Sequence, residues 1–170
     1  RKTYYSLVLV RHGSIWVSVY PVFANKLIEN ELAENILSCL SGYKSFQREV
    51  KCGESRFDFQ LNFLIDRMFL EVKSVSLVEN GEGKFPDAPT ERGVKHLKGL
   101  IELREKGFRT AVIFVSQRSD ARSITTNDKI DPLFGEWLRK AKRASVELYG
   151  YNCRVTKNTV SIKKEIPINI

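Results

Sequence analysis

What the chain lacks sets the first limits on what it can be. Its 170 residues hold three cysteines, Cys39, Cys52 and Cys153, an odd and scattered set with none of the paired spacing that zinc sites use. Reduced, buried thiols are therefore expected, which suits a cytoplasmic location. No apolar run reaches the length of a membrane-crossing helix and no secretory signal opens the chain, so no membrane association is expected. Internal repeats, low-complexity tracts and a glycine-rich phosphate loop are absent. So is a helix-turn-helix signature, which argues against base-specific reading of DNA by that route. Acidic charge is in short supply: 28 lysines and arginines face 20 aspartates and glutamates, a net +8. That excess favours a polyanion such as nucleic acid as partner, although solubility alone would also account for it. Hydrophobic residues make up 42% and aromatic residues 11%, enough for the core of one full domain.

The most informative stretch is Arg56 to Val78, RFDFQLNFLIDRMFLEVKSVSLV. Its first half alternates, with Phe57, Phe59, Leu61 and Phe63 on one side and Asp58, Gln60 and Asn62 on the other, the period of a strand with one buried face. After a connection through Ile65, Asp66 and Arg67, a second strand sets Phe69, Glu71, Lys73 and Val75 against Met68, Leu70 and Val72. Glu71 and Lys73 thus share a face. Two carboxylates on adjacent strands offer hard oxygen ligands to Mg²⁺ or Mn²⁺, and a lysine two residues on can orient water. A solvated face or a cross-strand ion pair is the plainer reading of the same residues.

Taken in order, the chain reads as strand Thr3 to Val10, a turn at His12 and Gly13, and strand Ile15 to Tyr20. Asn25 caps a helix running to about Leu40 and closed by Gly42. Ile28, Leu32, Ile36, Cys39 and Leu40 share one side of that helix, and Glu29 falls with them, either as a boundary residue reaching water or as a functional acid. Phe46 to Cys52 reads as the first central strand. A turn-rich loop from Glu79 to Pro89 precedes a helix from Thr90 to Lys106, with Gly93, Leu97, Leu100 and Ile101 inward, Lys95 and Lys98 outward, and Arg92 and His96 at the border. A lone histidine there reads as a capping or surface residue. Arg109 to Gln117 is a strand buried on both faces, and its following loop holds Arg118 and Arg122. A helix from Pro132 to about Ala144 directs Leu133, Phe134, Trp137, Leu138 and Ala141 inward. Its Arg139, Lys140, Lys142 and Arg143 form a solvated face or a phosphate contact. Strands Val146 to Val155 and Thr159 to Lys164 end an α/β arrangement, a mixed sheet flanked by helices.

The segments REVKCGESRFDF, LEVKSVSLVENGEGKFPDAPTERGVKHL, FVSQRSDA and YNCRV, in that order, resemble the sugar fermentation stimulation protein A family over nearly all of residues 25 to 156. Asp58, about a dozen residues, then Glu71-x-Lys73 is similar to the signature of PD-(D/E)XK nucleases, with Phe57 where the name has proline. The resemblance implies a restriction-endonuclease-like core over residues 25–170, preceded at 1–24 by a hairpin or connector left from an OB-like domain. It implies catalytic Asp58, Glu71 and Lys73, a Mg²⁺ or Mn²⁺ site formed by Glu29, Asp58 and Glu71, and DNA contacts from Arg92, Lys95, His96, Gln117, Arg118 and Arg122. Two functions stay open: a metal-dependent DNA nuclease, and a non-specific DNA-binding regulator of sugar (maltose) utilisation genes that does not cleave. A homodimer is compatible with either.

Overall fold

In the computed structural model, which describes residues 4–170, the organising strand is the apolar run Ala111 to Val115 at the centre of β8 (Arg109–Ser116), where all five side chains are buried. Such a run needs protein on both faces. It sits inside a six-stranded sheet, between the parallel strands β5 (Arg67–Val75) and β10 (Glu147–Val155). Antiparallel strands continue the sheet outward: β4 (Ser55–Asn62) and β3 (Ser45–Cys52) beyond β5, and β11 (Val160–Glu165) beyond β10. One face is covered by α1 (Val22–Ala33), whose Ala24, Leu27, Ile28 and Leu32 pack on Phe59, Leu61 and Leu70. The other carries α2 (Glu91–Glu105) and α3 (Pro132–Arg143), with Leu97, Leu100, Phe134 and Leu138 on Phe69, Val112 and Phe114. This is the mixed α/β sheet flanked by helices that the sequence implies. No helix among the described residues is long and apolar enough to cross a membrane.

Several local expectations are corrected. Strand Ser45–Cys52 is an edge strand, not a central one, and most of its side chains are exposed. Helix α1 starts three residues before Asn25 because Pro21, at φ −62°, presets the helical turn. It ends at Ala33 because Asn35 adopts φ 54°, the left-handed conformation that stops helices. Ile36 is consequently 56% exposed rather than inward. Leu133, at the start of α3, is exposed as well. The loop Glu79 to Pro89 contains strand structure: β6 (Leu77–Glu79) and β7 (Glu82–Phe85) form a hairpin whose turn residues, Asn80 and Gly81, take φ 53° and 84°. Asn-Gly favours that left-handed pair. With β9 (Ser123–Thr126) and β12 (Ile168–Asn169) the hairpin makes a second, four-stranded sheet. The cysteines are free, but only Cys153 is buried; Cys39 and Cys52 are half-buried.

The first hairpin is shorter than expected, β1 (Leu9–His12) with β2 (Ile15–Ser18), and Thr3 lies outside the described residues. Gln117 fastens it to the core. The Gln117 side chain, fully buried, accepts from Ser18 Oγ at 2.8 Å and donates to Tyr20 O at 3.1 Å and to Ser74 Oγ at 2.8 Å. The Gln117 backbone carbonyl also takes the Ser18 N–H at 3.1 Å. Removing the amide strands these buried polar groups, at about 1–3 kcal/mol for the unsatisfied set. Gln117→Ala should therefore lower the urea midpoint by a corresponding amount, and an unchanged midpoint would show that Gln117 does not hold the hairpin.

Candidate active site

Strands β4 and β5 pair through Phe59 and Leu70, and there the ladder stops. One residue further, where Asp58 and Glu71 would face each other, the strands part. The Asp58 carboxylate occupies the gap: its Oδ2 accepts the Val72 N–H at 2.8 Å, a backbone donor that a continuing ladder would have satisfied. Its Oδ1 accepts from Asn25 Nδ2 of α1 at 2.7 Å. Parting also turns the far end of β4 toward α2. Phe57, expected to share a face with Phe59, instead packs among Phe69, Leu97 and Leu100 on the opposite side of the sheet. Gly99 permits this approach, since a Cβ there would stand 3.0 Å from Phe57 Cζ.

The gap opens into a cleft of about 550 Å³ lined by Asp58, Glu71 and Lys73, with Asn25, Arg48, Glu49 and Arg92 around them. Glu71 is 3% exposed. Its Oε1 is bonded by Lys73 Nζ at 2.7 Å and by His96 Nδ1, whereas its Oε2 is buried with no protein donor. Burial raises the Glu71 carboxyl, but the His96 hydrogen bond and the Lys73 charge outweigh it and hold the group below the usual carboxylate range. Asp58 moves the other way. Burial first, and then the Glu71 charge, push it up against the hydrogen bonds from Val72 and Asn25. The cleft thus concentrates negative charge that its own donors only partly neutralise.

The other expected site residues are dispersed. Glu29 does not join Asp58 and Glu71: its carboxylate is held by Arg48 Nη1 at 2.7 Å, and no group of three His, Cys, Asp or Glu side chains converges among the described residues. The reason is position, because α1 aims Asn25, one turn earlier, at Asp58. Arg92 does line the cleft. His96 is not a surface residue but lies buried behind Glu71. Lys95 faces away and pairs with Glu54 at 3.3 Å. Gln117 is a core residue, as described above, and Arg118 is buried in a two-pronged pair with Asp120 while donating to Ser76 O at 3.1 Å. Arg122 donates to Asn80 O at the β6–β7 turn. On α3, Arg139 pairs with Asp128 and Lys140 with Glu136, and neither reaches the cleft. Arg48 was not singled out by sequence, and Asn25 was read only as a helix cap, whereas it lies inside α1 and donates to Asp58.

Comparison with known proteins gives the same picture of a whole, shared fold. A family model described as "Sugar fermentation stimulation protein RE domain" matches residues 22–159. The sugar fermentation stimulation protein homolog of Desulforamulus reducens is 46% identical over 170 residues, all of this chain and 71% of that protein. The homolog of Clostridium perfringens is 40% identical over 169 residues, 99% of this chain and 74% of that one. The structure of Pyrococcus furiosus SfsA in complex with Ca²⁺ matches with a TM-score of 0.92 at 27% identity, covering all of this chain and 74% of its own. Matched by the family model from 22 to 159 and by relatives along its whole length, the chain belongs to the sugar fermentation stimulation protein (SfsA) family.

Proposed function

We propose that the cleft is the active site of a divalent-cation-dependent nuclease of restriction-endonuclease-like type, hydrolysing phosphodiester bonds in DNA. The observation that carries this reading is the Glu71 carboxylate, fixed through Oε1 by two donors and leaving a buried, undonated Oε2 beside Asp58. A cation fits that donor set. Mg²⁺ binds through one or two carboxylates and retains several waters, so the two acids Asp58 and Glu71 suffice without Glu29. The Ca²⁺ complex of the Pyrococcus furiosus protein supports a divalent ion in this fold. When bound, the ion supplies charge that polarises a phosphoryl oxygen and acidifies water. Lys73 spends one of its three N–H donors on Glu71, leaving others to orient the attacking water and to stabilise charge developing on phosphate. Arg48 and Arg92 hold the flanking phosphates at the cleft wall. Water adds across one P–O bond, giving a phosphate monoester and a free hydroxyl.

Cleavage assays on single-stranded, duplex and branched DNA with Mg²⁺, Mn²⁺ or chelator test this. Glu71→Gln and Lys73→Ala should each lower the rate by about 10²-fold or more, with DNA affinity retained. A Glu71→Gln variant that cleaves as fast as wild type rejects the assignment. Salt-dependent binding with no cleavage by the unmodified protein would leave the regulator that binds DNA without cutting it.

Ion binding has its own signature in stability. At a hundredfold excess over Kd an ion that binds only the native state adds about 2.7 kcal/mol, or roughly 5–10 °C in Tm for a chain of this size. Wild-type protein should show that rise with Mn²⁺. The Asp58→Asn, Glu71→Gln double variant, which lacks both proposed ligands, should not. Equal Mn²⁺ shifts in both proteins would place the ion elsewhere.

Arg48 can be checked separately. If it meets one phosphate, Arg48→Ala should weaken binding to all sequences alike and reduce the slope of log K against log salt by about one; an unaltered slope would remove it from the DNA path.

A further inference from the structure

We infer that His96 is the positioning residue of the cleft, the group that orients the Glu71 carboxylate so that Oε2 is the oxygen offered to a cation. This rests on reading the cleft as a cation-dependent nuclease site. His96 lies in the middle of α2, 4% exposed, with Leu97 and Leu100 anchoring the same helix in the core. Its ring is fixed on two sides. Nδ1 meets Glu71 Oε1, and the Phe57 ring packs against the imidazole with centroids 6.0 Å apart. The remaining nitrogen, Nε2, faces Arg92 Nε at 3.5 Å. A guanidinium only donates, so Nε2 is the acceptor and the ring proton belongs on Nδ1, where it donates to Glu71; the tautomer is assigned from these partners.

A buried histidine bonded to a buried glutamate would ordinarily be a satisfied core pair. The distribution of donors distinguishes this one. Buried and half-buried carboxylates elsewhere in the structure use both oxygens: Asp131 accepts Thr90 N–H and Phe134 N–H on separate oxygens, and Glu147 accepts Arg109 on both. Glu71 receives both of its donors on Oε1, and its Oε2 is the one buried carboxylate oxygen without a protein partner among the described residues. Leaving a buried acceptor empty is costly unless a ligand fills it. Lys73 alone, on a flexible stem, would not set that orientation, because it could follow the carboxylate as it rotates. An imidazole locked in a packed helix cannot. Direct ligation by His96 is disfavoured by the same geometry, since one nitrogen is occupied by Glu71 and the other faces the Arg92 cation. Groups that orient a ligand in this way change ion affinity by about 10–100-fold when removed.

The test is calorimetric titration of Mn²⁺ into wild type, His96→Leu, His96→Asn and Glu71→Gln, at a temperature where circular dichroism shows each folded, with kcat and KM for DNA cleavage measured in parallel. His96→Leu preserves bulk and removes the donor, so it should weaken Mn²⁺ binding about 10–100-fold and lower kcat at fixed Mn²⁺ while leaving KM for DNA near wild type. His96→Asn, whose amide can donate from near the Nδ1 position, should recover most of the affinity, and it keeps the test open should the leucine variant not fold. A purely structural histidine would lower the melting temperature in chelator with Mn²⁺ affinity unchanged, and that result overturns the inference. Abolished binding in both His96 variants, equal to that of Glu71→Gln, would make His96 itself a ligand and also overturn it. If wild type takes up no Mn²⁺, the reading of the cleft has failed first, and the positioning role falls with it.

Discussion

The Val72 N–H to Asp58 hydrogen bond is the constraint on which the site depends. A β-ladder that continued past Phe59 and Leu70 would bury this amide against a backbone carbonyl and close the sheet. Substituting a side-chain carboxylate lets β4 leave β5 without orphaning a buried donor. Three consequences follow from that single exchange. A cleft opens between the strands, Asp58 is drawn into it, and the departing segment of β4 is free to carry Phe57 to the α2 side of the sheet. Phe57 then packs against His96, so the parting of the strands and the burial of the histidine are one structural event.

Electrostatics within the cleft follow from which donors reach it. Two carboxylates lie close in a poorly solvated place, and each is answered by a different element: Asp58 by Asn25 of α1 and the β5 backbone, Glu71 by Lys73 of its own strand and His96 of α2. Glu71, with two strong partners, is held ionised. Asp58, answered by neutral groups, is pushed the other way. Breaking a buried pair of the Glu71–Lys73 kind costs about 3–5 kcal/mol, because the survivor is left uncompensated. The arrangement is therefore sensitive to loss of Lys73, while burial and the Glu71 charge leave Asp58 only partly answered by Val72, Asn25 and the Lys73 charge.

Much of this was legible in the sequence, for identifiable reasons. The double-sided apolar run of β8 and the Thr90 cap with its 3.6-residue period in α2 are local signals, and they located both elements to within a residue or so. Period-two spacing also placed Glu71 beside Lys73. What failed was whatever depended on where strands separate. Alternation assigns Phe57 and Phe59 to one face, and nothing in a period reports that a strand leaves its neighbour between them. His96 looked like a border residue because its helical angle is intermediate, but Phe57, Glu71 and Arg92 all meet its ring. Glu29 was drawn toward the acids by its helix face, but Arg48 on the edge strand, unreadable as its partner at a separation of 19 residues, intercepts it. Asn80-Gly81 was a readable hairpin turn hidden by the glycines and prolines around it.

The edge strand also helps to determine where Asp58 sits. In the β3–β4 ladder the pairs Arg48 with Phe59 and Val50 with Phe57 are regular, but Glu49, which would face Asp58, is skipped and has φ 54°. A left-handed conformation at a non-glycine residue costs on the order of 1–3 kcal/mol and persists only where its surroundings impose it. Asp58 is thus unpaired on both flanks: β5 has ended its ladder on one side and β3 omits its bridge on the other. With no bridging partner in either neighbour, its carboxylate is held by hydrogen bonds from Asn25 and Val72. A one-residue slip of β4 against β3 would carry Asp58 to the opposite face and Phe57 into the cleft, so the bulky aromatics on both sides of Asp58, each buried in a different layer, enforce the register that the missing bridges cannot. Phe57 and Phe59 are in this sense as necessary to the site as the acid between them.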